Sequence, residues 1–249
     1  MSWAVVTGGS RGLGAAAAIA LAEDGHDVLF TFRRQGKAAE RTVSEIEQRG
    51  REAEAVQLEL DDLQAVTEFA RQSSKRRCPA VLVNNGGEAF PDVLDAVSLP
   101  EAERLLRVNT LAPLALIQGL AGALASHDRA GAVINVSSIV ARGGSRGSSV
   151  YAISKSGLHG MTRTLAVELA PRVRVNTVIP GVFDTDMNAE ALSNEKKASA
   201  AEALIPLGRV GAPGECAQLV SFLASQRASY VTGAIIPVDG GVLARLALP

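Results

Sequence analysis

The order of apolar segments predicts one α/β domain: a doubly wound, parallel seven-stranded sheet with helices on both faces. Three observations carry this. Short β-rich apolar runs alternate with helix-length segments from end to end, the pattern of strand–helix–strand crossovers. The runs at 81–83 and 132–136 show almost no polar alternation, as expected of strands covered on both faces. No linker, repeat or low-complexity break interrupts the 249 residues, so 1–249 reads as a single domain.

Taken in order, Trp3-Ala4-Val5-Val6-Thr7 opens the chain as a strand at 3–7, and a helix is expected over 12–24, after a glycine-rich turn. Further strands are expected at 27–32, 54–58, 80–83, 131–137, 173–178 and 234–238, each a run rich in β-branched and apolar residues. Helices fill the intervals near 37–49, 62–74, 103–126, 150–169, 188–203 and 213–225. Two segments stand outside this alternation: the Gly/Ser-rich stretch 140–149 and the excursion 182–208. Both follow strands, and in open α/β sheets ligands bind outside the carboxyl ends of the strands. Substrate selection is therefore expected there, with 182–208, and 187–205 within it, as a lid.

Charge and composition exclude several classes. The 25 basic and 26 acidic residues are scattered without long blocks, which argues against a nucleic-acid surface. The short run Lys75-Arg76-Arg77 is expected to be a solvated helix end. Cys78 and Cys216 lie in no CxxC or metal-spaced cluster, and both are expected to be small core residues. His26, His127 and His159 lack ligand spacing, so no metal site is expected. No charged and apolar leader precedes the first strand, and the longest apolar run, Ala15–Ala22, is far short of the ~20 residues that cross a bilayer. A cytoplasmic protein without membrane or nucleic-acid partners is expected. Segments 103–126 and 150–169 are apolar over much of their circumference, more than one sheet face absorbs, which predicts self-association.

Three motifs carry chemistry. Thr7-Gly8-Gly9-Ser10-Arg11-Gly12-Leu13-Gly14 lies between the first strand and the first helix. Glycines there let the backbone turn tightly and approach a pyrophosphate, which sits at the helix N-terminus. At the end of the second strand stands Phe32-Arg33-Arg34, where an NAD-specific site would place an acid to accept the ribose hydroxyls. Guanidinium groups bind a 2′-phosphate through charge-assisted hydrogen bonds, so Arg33 and Arg34, with Arg11 in the turn, point to NADPH/NADP+. The third motif is Tyr151-Ala152-Ile153-Ser154-Lys155. Residues four apart share a helix face, and a neighbouring cation is expected to lower the phenol's pKa towards a working range. Ser137-Ser138 ends the preceding strand at the same carboxyl edge.

With these motifs in place, the whole chain closely resembles the short-chain dehydrogenase/reductase family in its single-domain Rossmann form. Further matches are Asn84-Asn85-Gly86-Gly87, Asn109 in Val108-Asn109-Thr110, Asn176, Pro180-Gly181, Thr185 and Val238-Asp239-Gly240-Gly241. The resemblance implies a catalytic tetrad of Asn109, Ser138, Tyr151 and Lys155. Ser138 would polarise the carbonyl and Tyr151 would donate the proton. Lys155 would hold the nicotinamide ribose and tune Tyr151, and Asn109 would hold a water linked to Lys155. Gly8, Ser10, Arg11, Gly12, Leu13, Gly14, Arg33, Arg34, Glu59, Leu60, Asn85, Gly86, Gly87, Pro180, Gly181, Val182 and Thr185 would line the cofactor with Tyr151 and Lys155. Three departures stand out. Gly86 replaces an alanine, Glu59 stands where an aspartate meets the adenine, and the connection at 170–174 is one residue short. The 182–208 segment and Leu207-Gly208-Arg209-Val210-Gly211 look most like 3-oxoacyl-carrier-protein reductases and polyketide ketoreductases. That likeness implies reduction of a carrier- or CoA-bound 3-oxoacyl thioester, an acyl carrier protein partner meeting Arg129 and Arg172, and a homotetramer. Reduction or oxidation of another small ketone or alcohol, steroid or sugar among them, is the alternative. A non-catalytic cofactor sensor has no need of Ser138 and Tyr151 together.

Overall fold

The computed structural model describes residues 2–89 and 93–245. Strands β1 (Trp3–Val6), β2 (Asp27–Phe32), β3 (Ala53–Gln57), β4 (Val81–Asn84), β5 (Gly131–Val136), β6 (Val173–Pro180) and β7 (Ile235–Val238) form one sheet. All pairings are parallel and the order is β3-β2-β1-β4-β5-β6-β7. Between them run α1 (Gly12–Glu23), α2 (Gly36–Glu47), α3 (Leu63–Arg77), α4 (Leu99–Leu106), α5 (Ala112–Leu124), α6 (Ser149–Glu168), α7 (Ala189–Leu192), α8 (Glu195–Leu204) and α9 (Pro213–Ala224).

The two-residue period of each strand sorts its side chains into two cores. Ala4, Val6, Val28, Phe30, Val81, Val83, Ala132 and Ile134 pack against α1, α2 and α9. Val5, Leu29, Leu82 and Val133 turn the other way, onto α3, α5 and α6. Every strand residue in this set is 2% exposed or less, which is why the sequence lacks polar alternation there. The chain winds outward from β1 to β3, returns to β4 and winds the other way. That reversal opens a cleft at the carboxyl ends of β1 and β4.

Most expected boundaries hold within two residues; three helices differ, the first being the one expected over 62–74, which runs on to Arg77. The helix expected over 103–126 starts earlier, at Leu99, and is interrupted by a π turn at Arg107–Leu111. The wider turn inserts Asn109 into the buried interior, a local distortion that hydrophobic periodicity does not reveal. The run Leu99–Leu124 is long and apolar enough, by length and composition, to cross a membrane. Here Leu105, Leu116, Ile117, Leu120 and Leu124 are spent on the protein core. The helix expected over 188–203 is two pieces, α7 and α8, because Asn194 caps α8 by accepting from the Lys197 N–H at 3.1 Å.

The two cysteines part company. Cys216 is buried, and burial pushes its thiol up to about 12. Cys78 is exposed and ends α3 in the left-handed region at φ 45°, contrary to the core position expected of it. The basic run beside it is more than a solvated helix end. Arg77 pairs with Glu54 at 2.7 Å and stacks 4.3 Å over the Trp3 ring.

β6 carries a buried arginine with an identifiable task. Arg174 is 5% exposed and donates to Leu223 O at 2.7 Å, Ser225 O at 3.2 Å and Ala224 O at 3.4 Å. These carbonyls end α9, where helix carbonyls lack intrahelical partners and favour a cation. Arg174→Met keeps the stem but strands those acceptors. The loss is expected to be about 2–3 kcal/mol, a fall of roughly 4–12 °C in Tm for a domain of this size. A thermal melt within 1 °C of wild type would show that the carbonyls are satisfied without Arg174.

Candidate active site

The cleft at the switch point is fastened by side-chain to backbone bonds. Thr7 Oγ1 accepts from the Asn85 N–H at 3.0 Å and the Gly86 N–H at 2.8 Å. Asn85 Nδ2 returns the contact by donating to Thr7 O at 2.9 Å and Gly8 O at 3.3 Å. The glycine turn then folds back on itself. A Cβ on Gly14 would fall 2.1 Å from Gly8 O and 2.4 Å from Asn85 Nδ2, so only glycine fits. Gly8 and Gly12 take φ values of 68° and 55°, which favour glycine. At the start of α1 no side chain caps the helix, and its first turn carries no acid. The first-turn N–H groups are thereby left to an anion.

Two cavities meet here. The first, about 420 Å³, is lined by Gly8, Ser10, Arg11, Gly12, Leu13, Gly14, Arg33, Arg34, Leu60, Asn85, Gly86, Gly87 and Thr185, all residues assigned to a cofactor from the sequence. Glu88 and Val108, which the motifs did not single out, line it as well. The second, about 500 Å³, is lined by Ser138, Tyr151, Lys155, Pro180, Gly181 and Val182, with Ser137, Val140, Arg146, Ser148, Phe183 and Asn188. Leu13, Asn85, Gly87, Thr185 and Met187 border both, so the cavities are continuous. Residues from both outlying segments, 140–149 and 182–208, reach the second cavity, as their position after strands implies.

Glu59 departs from its expected place. It lines neither cavity and instead lies 2.8 Å from Arg33 Nε. Its longer side chain reaches past the position of an aspartate to the neighbouring cation. Arg33 also pairs with Glu88, and Arg11 pairs with Asp186 at 3.0 Å, joining the glycine turn to the 182–208 segment. The exchange of alanine for Gly86 also finds a reason. A Cβ there would come within 2.7 Å of Leu60 Cδ1, so the glycine makes room for Leu60 on the cavity wall.

The four tetrad residues come together from three elements. Ser138 follows β5 and hydrogen-bonds the Tyr151 phenol on α6. Lys155, one turn on, is 4% exposed and donates to Val136 O at 2.9 Å. Asn109, in the π turn, is fully buried and lines neither cavity. Its Oδ1 accepts from the Glu88 N–H at 2.9 Å, while Nδ2 donates to Glu88 O at 2.8 Å and Ser154 Oγ at 3.0 Å. A Cβ on Gly87 would meet Asn109 Oδ1 at 2.9 Å and Lys155 Nζ at 3.1 Å, so the amide and the ammonium share one wall.

The electrostatics differ from the simple expectation of a lysine-depressed phenol. Burial pushes the Tyr151 pKa up, and the hydrogen bond from Ser138 offsets only part of that. Burial also lowers Lys155 to about 8. Behind them, Ser137 Oγ donates to Lys155 O at 3.1 Å and lies 2.9 Å from His159 Nε2. Burial, then Arg163 and Arg142, lower the pKa of His159. A deeper ladder runs from Asn84 to Asn135, Thr162 and Thr177 at 2.9, 2.9 and 2.7 Å, locking β4, β5, α6 and β6 beneath the site. No single-residue pattern announces these contacts, since each joins residues 15 or more positions apart.

Known proteins share this arrangement along nearly the full chain. The family model described as Enoyl-(Acyl carrier protein) reductase matches residues 8–243. The L-rhamnose 1-dehydrogenase (NAD(P)(+)) of Sphingomonas sp. (strain SKA58) is 35% identical, over 97% of this chain and 96% of its own length. The 3-oxoacyl-acyl-carrier-protein reductase FabG of Staphylococcus epidermidis is 37% identical, over 96% of this chain and 98% of its own. Among solved structures, a blue fluorescent protein from a metagenomic library, in complex with NADPH, superposes with a TM-score of 0.89. It is 40% identical and covers 97% of both chains. Fold, site and relatives agree: the chain belongs to the short-chain dehydrogenase/reductase family of oxidoreductases.

Proposed function

We propose that the protein is an NADPH-dependent carbonyl reductase that converts a 3-oxoacyl thioester, linked to a carrier protein or to CoA, into its 3-hydroxyacyl form. The observation that carries the reaction is the convergence of Ser138, Tyr151 and Lys155 on a cavity continuous with a glycine-only cradle. That cradle fits a dinucleotide. The uncapped α1 N-terminus and Gly12-Leu13-Gly14 would take the diphosphate, and Arg33 and Arg34 the 2′-phosphate. NADP-bound structures among the relatives support the same cofactor.

When bound, the dihydronicotinamide supplies the hydride that adds to the carbonyl carbon. The chain's own groups handle the oxygen and the proton. Ser138 holds the carbonyl oxygen by hydrogen bonding. Tyr151, kept protonated by burial, donates its phenolic proton to that oxygen as charge develops there. Lys155 stabilises the phenolate left behind and holds the ribose hydroxyls. Asn109 braces Glu88 and Ser154, joining the β4 loop to α6. Met187, Leu204 and Leu207 are exposed on 182–208, apolar surface that a lid would bring over an acyl chain. A carrier protein would meet Arg129, which is exposed. Arg172, by contrast, is committed to Ala125 O at 2.9 Å and His127 O at 3.2 Å. A sugar or other small polyol is the second reading, favoured by Arg146, Ser148 and Asn188 on the wall of the second cavity and by the L-rhamnose dehydrogenase likeness.

Loss of a positioned general acid costs ~10²–10⁴-fold. Tyr151→Phe is therefore expected to lower kcat by that factor while NADPH affinity, read by fluorescence titration, stays within about twofold. Retention of more than about a tenth of wild-type turnover would remove Tyr151 from the mechanism. In the same assay, NADPH oxidation across 3-oxoacyl thioesters, cyclic ketones and sugars should give the highest kcat/KM with a thioester. A sugar at the top of that ranking would replace the substrate assignment.

Lys155 gives a pH prediction. Its ordinary value is 10.5 and its buried value about 8. Between those pH values the unfolded chain binds the extra proton, so the stability that Lys155 contributes rises with pH. The unfolding free energy of wild type minus that of Lys155→Met should climb from pH 8 to 10.5 without cofactor. A flat difference would mean that the ammonium stays solvated.

We further propose a homotetramer. Leu99, Leu111 and Leu114 on the α4–α5 run, and Ile153 and Val167 on α6, are 42–79% exposed. Pairing of these helices across twofold axes would cover them. Light scattering at micromolar concentration should return four times 25.8 kDa; a monomer would contradict the assembly.

A further inference from the structure

Glu88 lines the first cavity beside Gly87, and neither the glycine turn nor the tetrad accounts for its charge. Its carboxylate takes the Arg33 guanidinium on one side and Arg104 Nη2, at 2.8 Å, on the other. Glu59 lies 2.8 Å from Arg33 Nε. Arg33 therefore sits between two carboxylates at the place where a 2′-phosphate would need it. The main chain of Glu88 is clamped by Asn109 through both its N–H and its carbonyl, so the carboxylate is not withdrawn by a shift of the loop. Arg104 is itself shared between Glu88 and Glu101, the latter at 3.1 Å, and these acids raise its pKa. Rotation of the Glu88 side chain off Arg33 leaves it on Arg104, and no charge is stranded.

We propose that Glu88 is a cofactor-specificity residue: it competes with the 2′-phosphate for Arg33 and releases it because Arg104 keeps Glu88 paired. This inference rests on the reading of Arg33 as a phosphate-binding residue. Its consequence is quantitative. Part of the charge-assisted binding that Arg33 offers a phosphate is offset by the ion pair it gives up. Discrimination between phosphorylated and unphosphorylated adenosine ribose is smaller than Arg33 and Arg34 alone would produce, and Glu88 sets the difference.

Calorimetric titration of the whole protein with 2′,5′-ADP and with 5′-AMP tests this without turnover. Glu88→Gln keeps the side-chain size and the main-chain bonds to Asn109 while removing the competing charge. It should tighten 2′,5′-ADP by about two- to fivefold, the scale of a partly exposed ion pair, and leave 5′-AMP unchanged. In an Arg33→Ala background the gain should vanish, and Glu101→Gln, which removes the same charge one residue further out, should not reproduce it. An equal gain for both nucleotides, a gain that persists without Arg33, or the same gain in Glu101→Gln would overturn the inference in favour of a general field effect. If Arg33→Ala leaves the ratio of the two affinities unchanged, the reading of Arg33 falls and this inference with it. If Arg33→Ala removes the discrimination but Glu88→Gln changes nothing, Glu88 alone is refuted.

Discussion

The site depends on one close approach: the backbone of the first turn, Gly8 to Gly14, lying against the end of β4. Strand order reverses between β1 and β4, so no crossover connection ties these two ends together. Thr7 and Asn85 supply the tie instead, with each side chain bonding the other's backbone. Because those bonds use polar groups that would otherwise be orphaned in a partly buried cleft, their loss would cost both the bond and the desolvation. The cradle, the position of Gly86 and Gly87, and thus the wall shared by Asn109 and Lys155 all follow from that seam.

Burial is the second controlling quantity, and it acts on Tyr151 and Lys155 in opposite senses. A low-dielectric wall disfavours phenolate and ammonium alike, so both groups are driven towards their neutral forms. A neutral phenol is the form that can donate a proton, which suits reduction. The ammonium is retained to the extent that Val136 O compensates its desolvation. Ser137 and His159 fix the α6 backbone at Lys155 from behind, so the lysine reaches the wall from a rigid helix.

The fold was legible because strands buried on both faces leave a plain record: Val5, Leu29, Leu82 and Val133 point one way and their neighbours the other, all apolar. The cradle was legible because glycine has few substitutes where a Cβ would lie 2.1 Å from a carbonyl oxygen. Other features left no such record. The π turn that buries Asn109 interrupts an apolar helical run whose periodicity gives no sign of it. Cys78 resembles a core residue in sequence, yet it closes α3 in a left-handed conformation that only the tertiary turn requires. The ion pair of Glu59 with Arg33 left no record either, since the two stand 26 positions apart.

The two cavities explain why relatives of this chain share one scaffold while their names divide among sugars, steroids and acyl thioesters. The first cavity takes part of its wall from backbone, at Gly8, Gly14 and Gly86, where a Cβ has no room. The second takes its walls from loop side chains such as Val140, Arg146, Ser148 and Asn188, which can change without disturbing any strand. Only the rim between the cavities couples the two. Thr185 and Met187 border both, and Asp186 between them holds Arg11 of the glycine turn. Asp186 thus joins the glycine turn to the 182–208 segment, whose Val182, Phe183 and Asn188 line the second cavity.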